Sequence, residues 1–198
     1  MGIHDASQRT KTTTALKEKD FYQTPYCATR VLVDHLLNYE EIDKNISILD
    51  PCTGFQAISN ILRKRFSNVV YYDKFIEHSD YELTDFLETE EKYDCIIMNP
   101  PYSAKNEFID HAKTLAKDVY AFLPVQVDNY ISFNENYLDI FEYCDKIKCY
   151  PKMFLSEKQK YVQGGVTAYA WYHWRRDHKG FMKPEYFYDL RNYMEESL

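Results

Sequence analysis

Residues 94–102 read Asp94-Cys95-Ile96-Ile97-Met98-Asn99-Pro100-Pro101-Tyr102. The first part is a short apolar run with the β-branched content of a strand covered on both faces. The second part cannot continue it. Two prolines fix the backbone, remove two N–H donors and leave carbonyls with no competing donor beside them. Asn99 adds a side-chain carbonyl, and Tyr102 adds a flat aromatic surface. The group is rigid, acceptor-rich, uncharged and aromatic. It suits a planar base with an exocyclic amine, whose two hydrogens meet two acceptors while the ring stacks on Tyr102. A chance turn is the alternative, and four such residues ending a buried strand make it the weaker one.

Working outward, three further runs share the character of 94–98. They are Ile46-Ser47-Ile48-Leu49-Asp50, Val69-Val70-Tyr71-Tyr72-Asp73 and Val119-Tyr120-Ala121-Phe122-Leu123. Helical spacing fills the gaps. Thr24-Pro25 reads as an N-cap and first-turn pair for a helix with Ala28, Leu32 and Leu36 on one side. Ala57, Ile58, Ile61 and Leu62 continue the pattern, and Ser103 is placed to cap a helix carrying Phe108, Ile109, Ala112, Leu115 and Ala116. Strand and helix in alternation predict an α/β fold with a doubly wound, mostly parallel sheet. Towards the end, residues 147–150 and 166–172 look like two strands joined without a helix, hence an antiparallel pair. Tyr186, Phe187, Leu190, Tyr193 and Met194 suggest a closing helix. Residues 1–20 are polar and aperiodic and read as a flexible arm, leaving 21–198 as a single domain.

In such a sheet ligands bind beyond the carboxyl ends of the strands. After the first strand comes Asp50-Pro51-Cys52-Thr53-Gly54-Phe55-Gln56: an acid ending a strand, a turn with a glycine, then a helix. Gly54 would let the backbone approach a ligand that a Cβ keeps away. Asp73 ends the second strand 23 positions after Asp50, near the spacing at which an acid meets ribose hydroxyls in dinucleotide folds. Taken singly, either acid is more readily a turn cap or an exposed carboxylate.

The chain has 198 residues, 45% hydrophobic and 17% aromatic, which is enough for a core and unlike a disordered chain. No apolar run reaches the roughly 18 residues of a membrane span, and the polar start has no signal-peptide core, so a soluble, cytoplasmic protein is expected. Cys52 and Cys95 read as reduced core residues. Cys144 and Cys149 with His173 or His178 make a poor zinc pattern, and no metal is expected. The net charge of −7 is unevenly spread. Residues 144–183 carry nine basic and three acidic side chains, net +6, which leaves −13 on the remainder. A basic segment on an acidic body can mark a phosphate-facing surface or a solvated face. Lys158, Lys160, Arg175 and Arg176, with a Gly164-Gly165 hairpin, are its candidate substrate contacts. Trp171 and Trp174 read as core.

These motifs resemble the S-adenosylmethionine-dependent amino-methyltransferases, and within them the N6-adenine DNA methyltransferases. The likeness covers nearly all of the chain after residue 20. Phe21-Tyr22-Gln23-Thr24-Pro25 is similar to that family's F-Y-x-T-P segment at the methionine end of the cofactor. Asp50-Pro51-Cys52-Thr53-Gly54 is similar to its D-P-x-x-G cofactor loop. Asp73 matches the ribose-binding acid, Asp85-Phe86 the pair beside the cofactor adenine, and Asn99-Pro100-Pro101-Tyr102 the catalytic tetrad at every position. The resemblance implies a Rossmann-like class I methyltransferase fold, seven-stranded with one antiparallel strand. One departure is Gln56, where the family often has a second glycine; it is expected to crowd or reshape the cofactor edge.

By the same resemblance, S-adenosylmethionine is the cofactor and DNA the substrate, methylated at adenine N6 with Tyr102 stacking on the flipped base. RNA adenine, cytosine N4 and a protein amide are alternatives, as is a non-catalytic nucleic-acid-binding module that keeps the fold. Only three segments, 125–136, the hairpin and the tail after Arg176, are free to read sequence, and no separate target-recognition domain is expected. Specificity is therefore expected to be short or relaxed unless a partner subunit supplies it.

Overall fold

The computed structural model describes residues 20–125, 169–176 and 178, and the backbone alone of 141–149 and 186–187. The expected arm thus falls outside the described residues except at Asp20. In chain order the elements are α1 (Tyr26–Asn38), β1 (Ser47–Asp50), α2 (Ser59–Leu62), β2 (Asn68–Tyr71), β3 (Tyr93–Met98), α3 (Lys105–Leu115), β4 (Ala116–Pro124), β5 (Phe141–Cys149), β6 (Tyr169–Arg176) and β7 (Tyr186–Phe187). The strands form one seven-stranded sheet in the order β2-β1-β3-β4-β6-β5-β7. Strands β1, β2, β3 and β4 are mutually parallel. Strand β6 pairs antiparallel with both β4 and β5, and β7 pairs parallel with β5. Among the described strands, then, β6 alone runs against the rest. The expected antiparallel pair is β5 with β6, and the sheet is seven-stranded, with parallel strands and one antiparallel strand, as expected; residues 166–168 of the expected last strand lie outside the described residues.

Alternation along each strand divides the core in two, as a sheet covered on both faces requires. Ile48, Cys95, Ile97, Tyr120, Phe122 and Trp171 face α1 and α2, where Ala28, Leu32, Leu36, Ile58, Ile61 and Leu62 are buried as their spacing predicts. Their neighbours Leu49, Ile96, Met98, Val119, Ala121, Tyr172 and Trp174 face α3, through Phe108, Ile109, Ala112 and Leu115. Both tryptophans are core. The Trp171 indole N–H donates to the Ala28 carbonyl at 2.9 Å, pinning α1 to β6.

Three local expectations are corrected. The N-cap of α1 is Pro25, in extended conformation, not Thr24; the Thr24 hydroxyl instead accepts from the Asn99 side chain. Ser103 does not cap α3. The chain after the prolines first makes a 3-10 turn at Tyr102–Ala104, so α3 begins at Lys105, and the Ser103 amide donates to Asp20. Tyr186 and Phe187 belong to β7 and pair with Ile147 and Lys148; the rest of the expected closing helix lies outside the described residues. Two aromatic residues fit a helix period or a strand equally well, and the free edge of β5 settles it.

At the amino end of β4 the sheet buries charge. Asp118 accepts from His173 Nε2 and Arg175 Nε, each at 2.7 Å, and Arg175 Nη2 reaches Glu40 beyond α1 at 2.7 Å. The His173 ring stacks on Tyr120 with centroids 3.9 Å apart. Burial would raise the Asp118 carboxyl, but His173 and Arg175 outweigh it and hold it below its ordinary value. Burial pushes His173 down against the pull of Asp118. Removing the cation from such a group leaves the largely buried carboxylates of Asp118 and Glu40 without their shared partner. Arg175→Ala should lower the unfolding free energy by about 3 kcal/mol, read from the midpoint of a urea titration; a midpoint equal to wild type would show that the cluster does not tie α1 to the sheet.

Candidate functional site

From β1 the chain crosses to β2 on one side, and from β3 it crosses to β4 on the other. The loops after β1 and β3 therefore diverge, and a crevice opens beyond the carboxyl ends of these strands. It has a volume of about 880 Å³, in the range of small-molecule sites. Most of the residues expected from the sequence meet there. Phe21, Tyr22 and Thr24 line it from the N-terminal strap, Pro51 and Thr53 from the β1 loop, and Asp73, Asp85 and Phe86 from the next two turns. Asn99, Pro100, Pro101 and Tyr102 complete the wall. Asp50 and Gly54 lie just behind it, and Pro25 opens α1.

The β1 loop is held from both sides. The Thr53 amide donates to the Tyr72 carbonyl at 3.0 Å, and its hydroxyl bonds the Ser59 hydroxyl at 2.6 Å. Gly54 has φ +53°, and a Cβ there would sit 2.3 Å from Cε2 of Phe21. The close approach that requires glycine is thus made by the Phe21 ring, which also meets Phe55 edge to face. Gln56 also adopts a positive φ of 60°. Its side chain is buried and absent from the crevice wall, and its Nε2 has no hydrogen-bond partner among the described residues. Of the two expectations for Gln56, crowding or reshaping the cofactor edge, the side chain does not crowd the crevice wall, while its left-handed backbone does shape the turn after Gly54.

Asp73 organises the next two turns. Its Oδ2 accepts from the Gly54 amide at 2.9 Å, and its Oδ1 from the amides of Phe75 and Ile76 at 2.8 and 2.9 Å. Asp85 caps the 3-10 turn Phe86–Glu88 by accepting from Leu87 N and forms an ion pair with Lys74. Phe86 is almost wholly buried against Phe108 and His111 and shows the crevice only an edge. Sequence reading missed Lys74, Phe75, Ile76 and Leu87. Phe75 and Leu87 are exposed apolar side chains on the crevice wall, and their position just beyond Asp73 and Asp85 was the available signal.

At the tetrad, the Asn99 side-chain NH2 donates to the Tyr22 carbonyl at 2.7 Å and to the Thr24 hydroxyl at 2.9 Å. The Cys52 thiol donates to the Asn99 backbone carbonyl at 3.2 Å, tying the β1 loop to the β3 loop. No donor among the described residues is bonded to Asn99 Oδ1 or to the Pro100 carbonyl. The Tyr102 ring is 52% exposed, and the Lys105 ammonium lies 4.5 Å from its centroid. Burial, with Asp50 and Asp73 nearby, pushes the Cys52 thiol well up, so it is a neutral donor. Burial likewise lifts the Asp50 carboxyl to about 7; Thr53 opposes this and Asp73 adds to it.

The structure does not bring Arg175 and Arg176 to the crevice. Antiparallel pairing sets Arg175 opposite Asp118 at the far end of β4, and Arg176 donates to the Lys113 and Ala116 carbonyls. Both guanidinium groups are thus engaged within the fold, away from the crevice. Lys158, Lys160, Gly164 and Gly165 lie outside the described residues, as do the side chains of Cys144 and Cys149.

The sequence profile of the Eco57I restriction-modification methylases matches residues 4–161. Among curated proteins, no sequence matches significantly. Several solved structures are similar. A candidate RNA methyltransferase from Pyrococcus horikoshii has a TM-score of 0.61 at 19% identity, over 78% of this chain and 86% of its own. The methyltransferase subunit of a type I restriction-modification system from Streptococcus thermophilus gives 0.58 at 14%, over 79% of this chain and 45% of its own. A TehB-like SAM-dependent methyltransferase from Corynebacterium glutamicum gives 0.51 at 14%, over 87% and 97%. This chain spans less than half of the Streptococcus subunit, and at these identities the likeness is one of fold.

Asp50 gives the site a pH signature. The native state keeps its proton to about pH 7, whereas the unfolded chain releases it near about 4. Between these values the native state binds more protons, so this group makes stability fall as pH rises. Asp50→Asn should therefore gain stability relative to wild type progressively from about pH 4 to 7, by roughly 4 kcal/mol in all, and the difference should be flat above. The cost of burying the Asn amide does not vary with pH. Denaturant titrations at pH 4.5, 6 and 8 check this, and a difference independent of pH would refute it.

Proposed function

The chain belongs to the Eco57I restriction-modification methylase family, and on that premise we propose that it transfers a methyl group from S-adenosylmethionine to the exocyclic N6 amine of adenine in DNA. One observation carries the reading: Asn99 and Pro100, whose side-chain and backbone oxygens have no bonded donor among the described residues, line the crevice beside the exposed Tyr102. Adenine N6 is a poor nucleophile because its lone pair is conjugated with the ring. Accepting both amine hydrogens favours a more tetrahedral nitrogen and frees that pair. Because the prolines fix the Pro100 carbonyl and the Asn99 amide is held by the Tyr22 carbonyl and the Thr24 hydroxyl, little reorganisation is needed as charge develops on the amine. Tyr102 offers the extruded base a ring that offsets lost stacking.

The crevice suits the cofactor on the chemistry of its donors. Apolar Phe75, Ile76 and Leu87 offer a slot for a purine, with the Asp85 carboxylate at its edge to accept from an amine. Asp73 retains acceptor capacity for a ribose while its oxygens hold three backbone amides. Phe21, Tyr22 and Thr24 form the wall nearest the tetrad, where the methionine end would lie. When bound, S-adenosylmethionine supplies an electrophilic methyl group on a sulfonium. The chain contributes alignment of the amine with that methyl group.

Radiolabelled methyl transfer to DNA, RNA and protein in parallel tests the substrate class. Label should enter DNA as N6-methyladenine, and transfer confined to RNA, cytosine or protein would overturn that assignment. Asn99→Ala should lower the rate by at least 100-fold while S-adenosylmethionine affinity stays within about threefold, since one aligned acceptor of this kind is worth about 10²–10³ in rate. Robust turnover by that variant would sink the mechanism. We also propose that these 198 residues acting alone methylate short or relaxed sites. Methylated adenines mapped after expression in a methylation-free cell should show it, and a strict site of about five or more base pairs would contradict it.

A further inference from the structure

Resting on the methyl-transfer reading, we propose that Thr24 and the Tyr22 carbonyl are a positioning device that fixes the Asn99 amide with its oxygen, not its NH2, toward the crevice. A primary amide is nearly symmetric in shape but opposite in function at its two ends. If Asn99 flipped, it would present two donors to a substrate amine, and the acceptor pair would be lost. Nothing within Asn99-Pro100-Pro101-Tyr102 prevents this, because neither proline has an N–H to hold Oδ1.

The strap supplies the missing constraint. A backbone carbonyl can only accept, so the Asn99 atom 2.7 Å from the Tyr22 oxygen must be the nitrogen. The second amide hydrogen goes to the Thr24 hydroxyl at 2.9 Å. A flip would set two oxygens against each other at hydrogen-bond distance. Thr24 is 4% exposed, so water does not readily replace it. The strap is itself fixed to both loops. Phe21 fills the space over Gly54, and Asp20 accepts from the Ser103 amide just beyond the tetrad. Besides lining the crevice, Thr24 thus acts on the reaction through Asn99.

The test compares Thr24→Val, which keeps the shape and removes the hydroxyl, with Thr24→Ser, which restores it. In protein labelled with ¹⁵N-asparagine, the Asn99 side-chain amide is assigned by its loss in Asn99→Ala. Its protons should exchange slowly in wild type and Thr24→Ser. In Thr24→Val, one proton should shift upfield and both should exchange at least tenfold faster. With cofactor held saturating for each variant, so that any change in its affinity does not enter, kcat of Thr24→Val should fall at least tenfold and be recovered in Thr24→Ser. Amide spectra unchanged in Thr24→Val, or lost cofactor affinity with wild-type kcat, would overturn the proposal. If wild type methylates no amine, the methyl-transfer reading falls instead, and the amide spectra alone decide the orientation.

Discussion

Parallel neighbours in a sheet must be joined by a crossover over one face, and such crossovers are right-handed. When the chain reverses its lateral direction, the covering helices change face. This happens between β1 and β3: α2, after β1, packs with α1, whereas α3, after β3, packs on the other side. At the point of reversal no helix covers the strand ends. The crevice is a consequence of topology before any side chain is chosen, and every group discussed as functional is placed by it. The connection from β2 back to β3 supplies the remaining wall, which is why Asp73 and Asp85, distant from Asn99 in sequence, face the same space.

The two ends of the sheet carry opposite electrostatic designs. At the carboxyl ends the groups are mostly uncharged acceptors and acids bonded to backbone amides, with Lys74 paired to Asp85. A nucleoside meets hydrogen-bonding partners there without having to displace a dense field of charge. At the amino end, Asp118, His173, Arg175 and Glu40 form a compensated, largely buried cluster. Buried charges persist only when each has a partner. Arg175 cannot turn outward to a phosphate without stranding Asp118 and Glu40.

A short strap, residues 20–24, couples the two loops of the site. It meets the β1 loop through Phe21 and Gly54, and the β3 loop through Asp20, Tyr22 and Thr24. The Cys52 thiol adds a direct link between those loops. Rigidity at the tetrad therefore has two sources, the prolines within it and the strap beside it. Substitutions at Gly54 would be felt at Asn99 through Phe21.

The sequence by itself determined the layers. Apolar runs at 46–50, 69–73, 94–98 and 119–123, separated by helical spacing, admit few arrangements other than a parallel sheet covered on both faces, and that rule alone pointed to the residues after each strand. Asn99-Pro100-Pro101-Tyr102 was legible because its chemistry is local: proline geometry and exposed acceptors need no distant partner to be recognised. What depends on distant partners was decided only by the tertiary structure. Gly54 is a glycine because of Phe21, which lies 33 positions earlier. The basic character of Arg175 was visible, but its antiparallel pairing with Asp118 sends it away from the crevice. Gln56 looked obstructive in a linear motif and is buried by a positive φ that no composition reveals. The direction of the Asn99 amide rests on a carbonyl 77 residues away, because a side chain with two similar ends takes its orientation from whatever the fold brings against it.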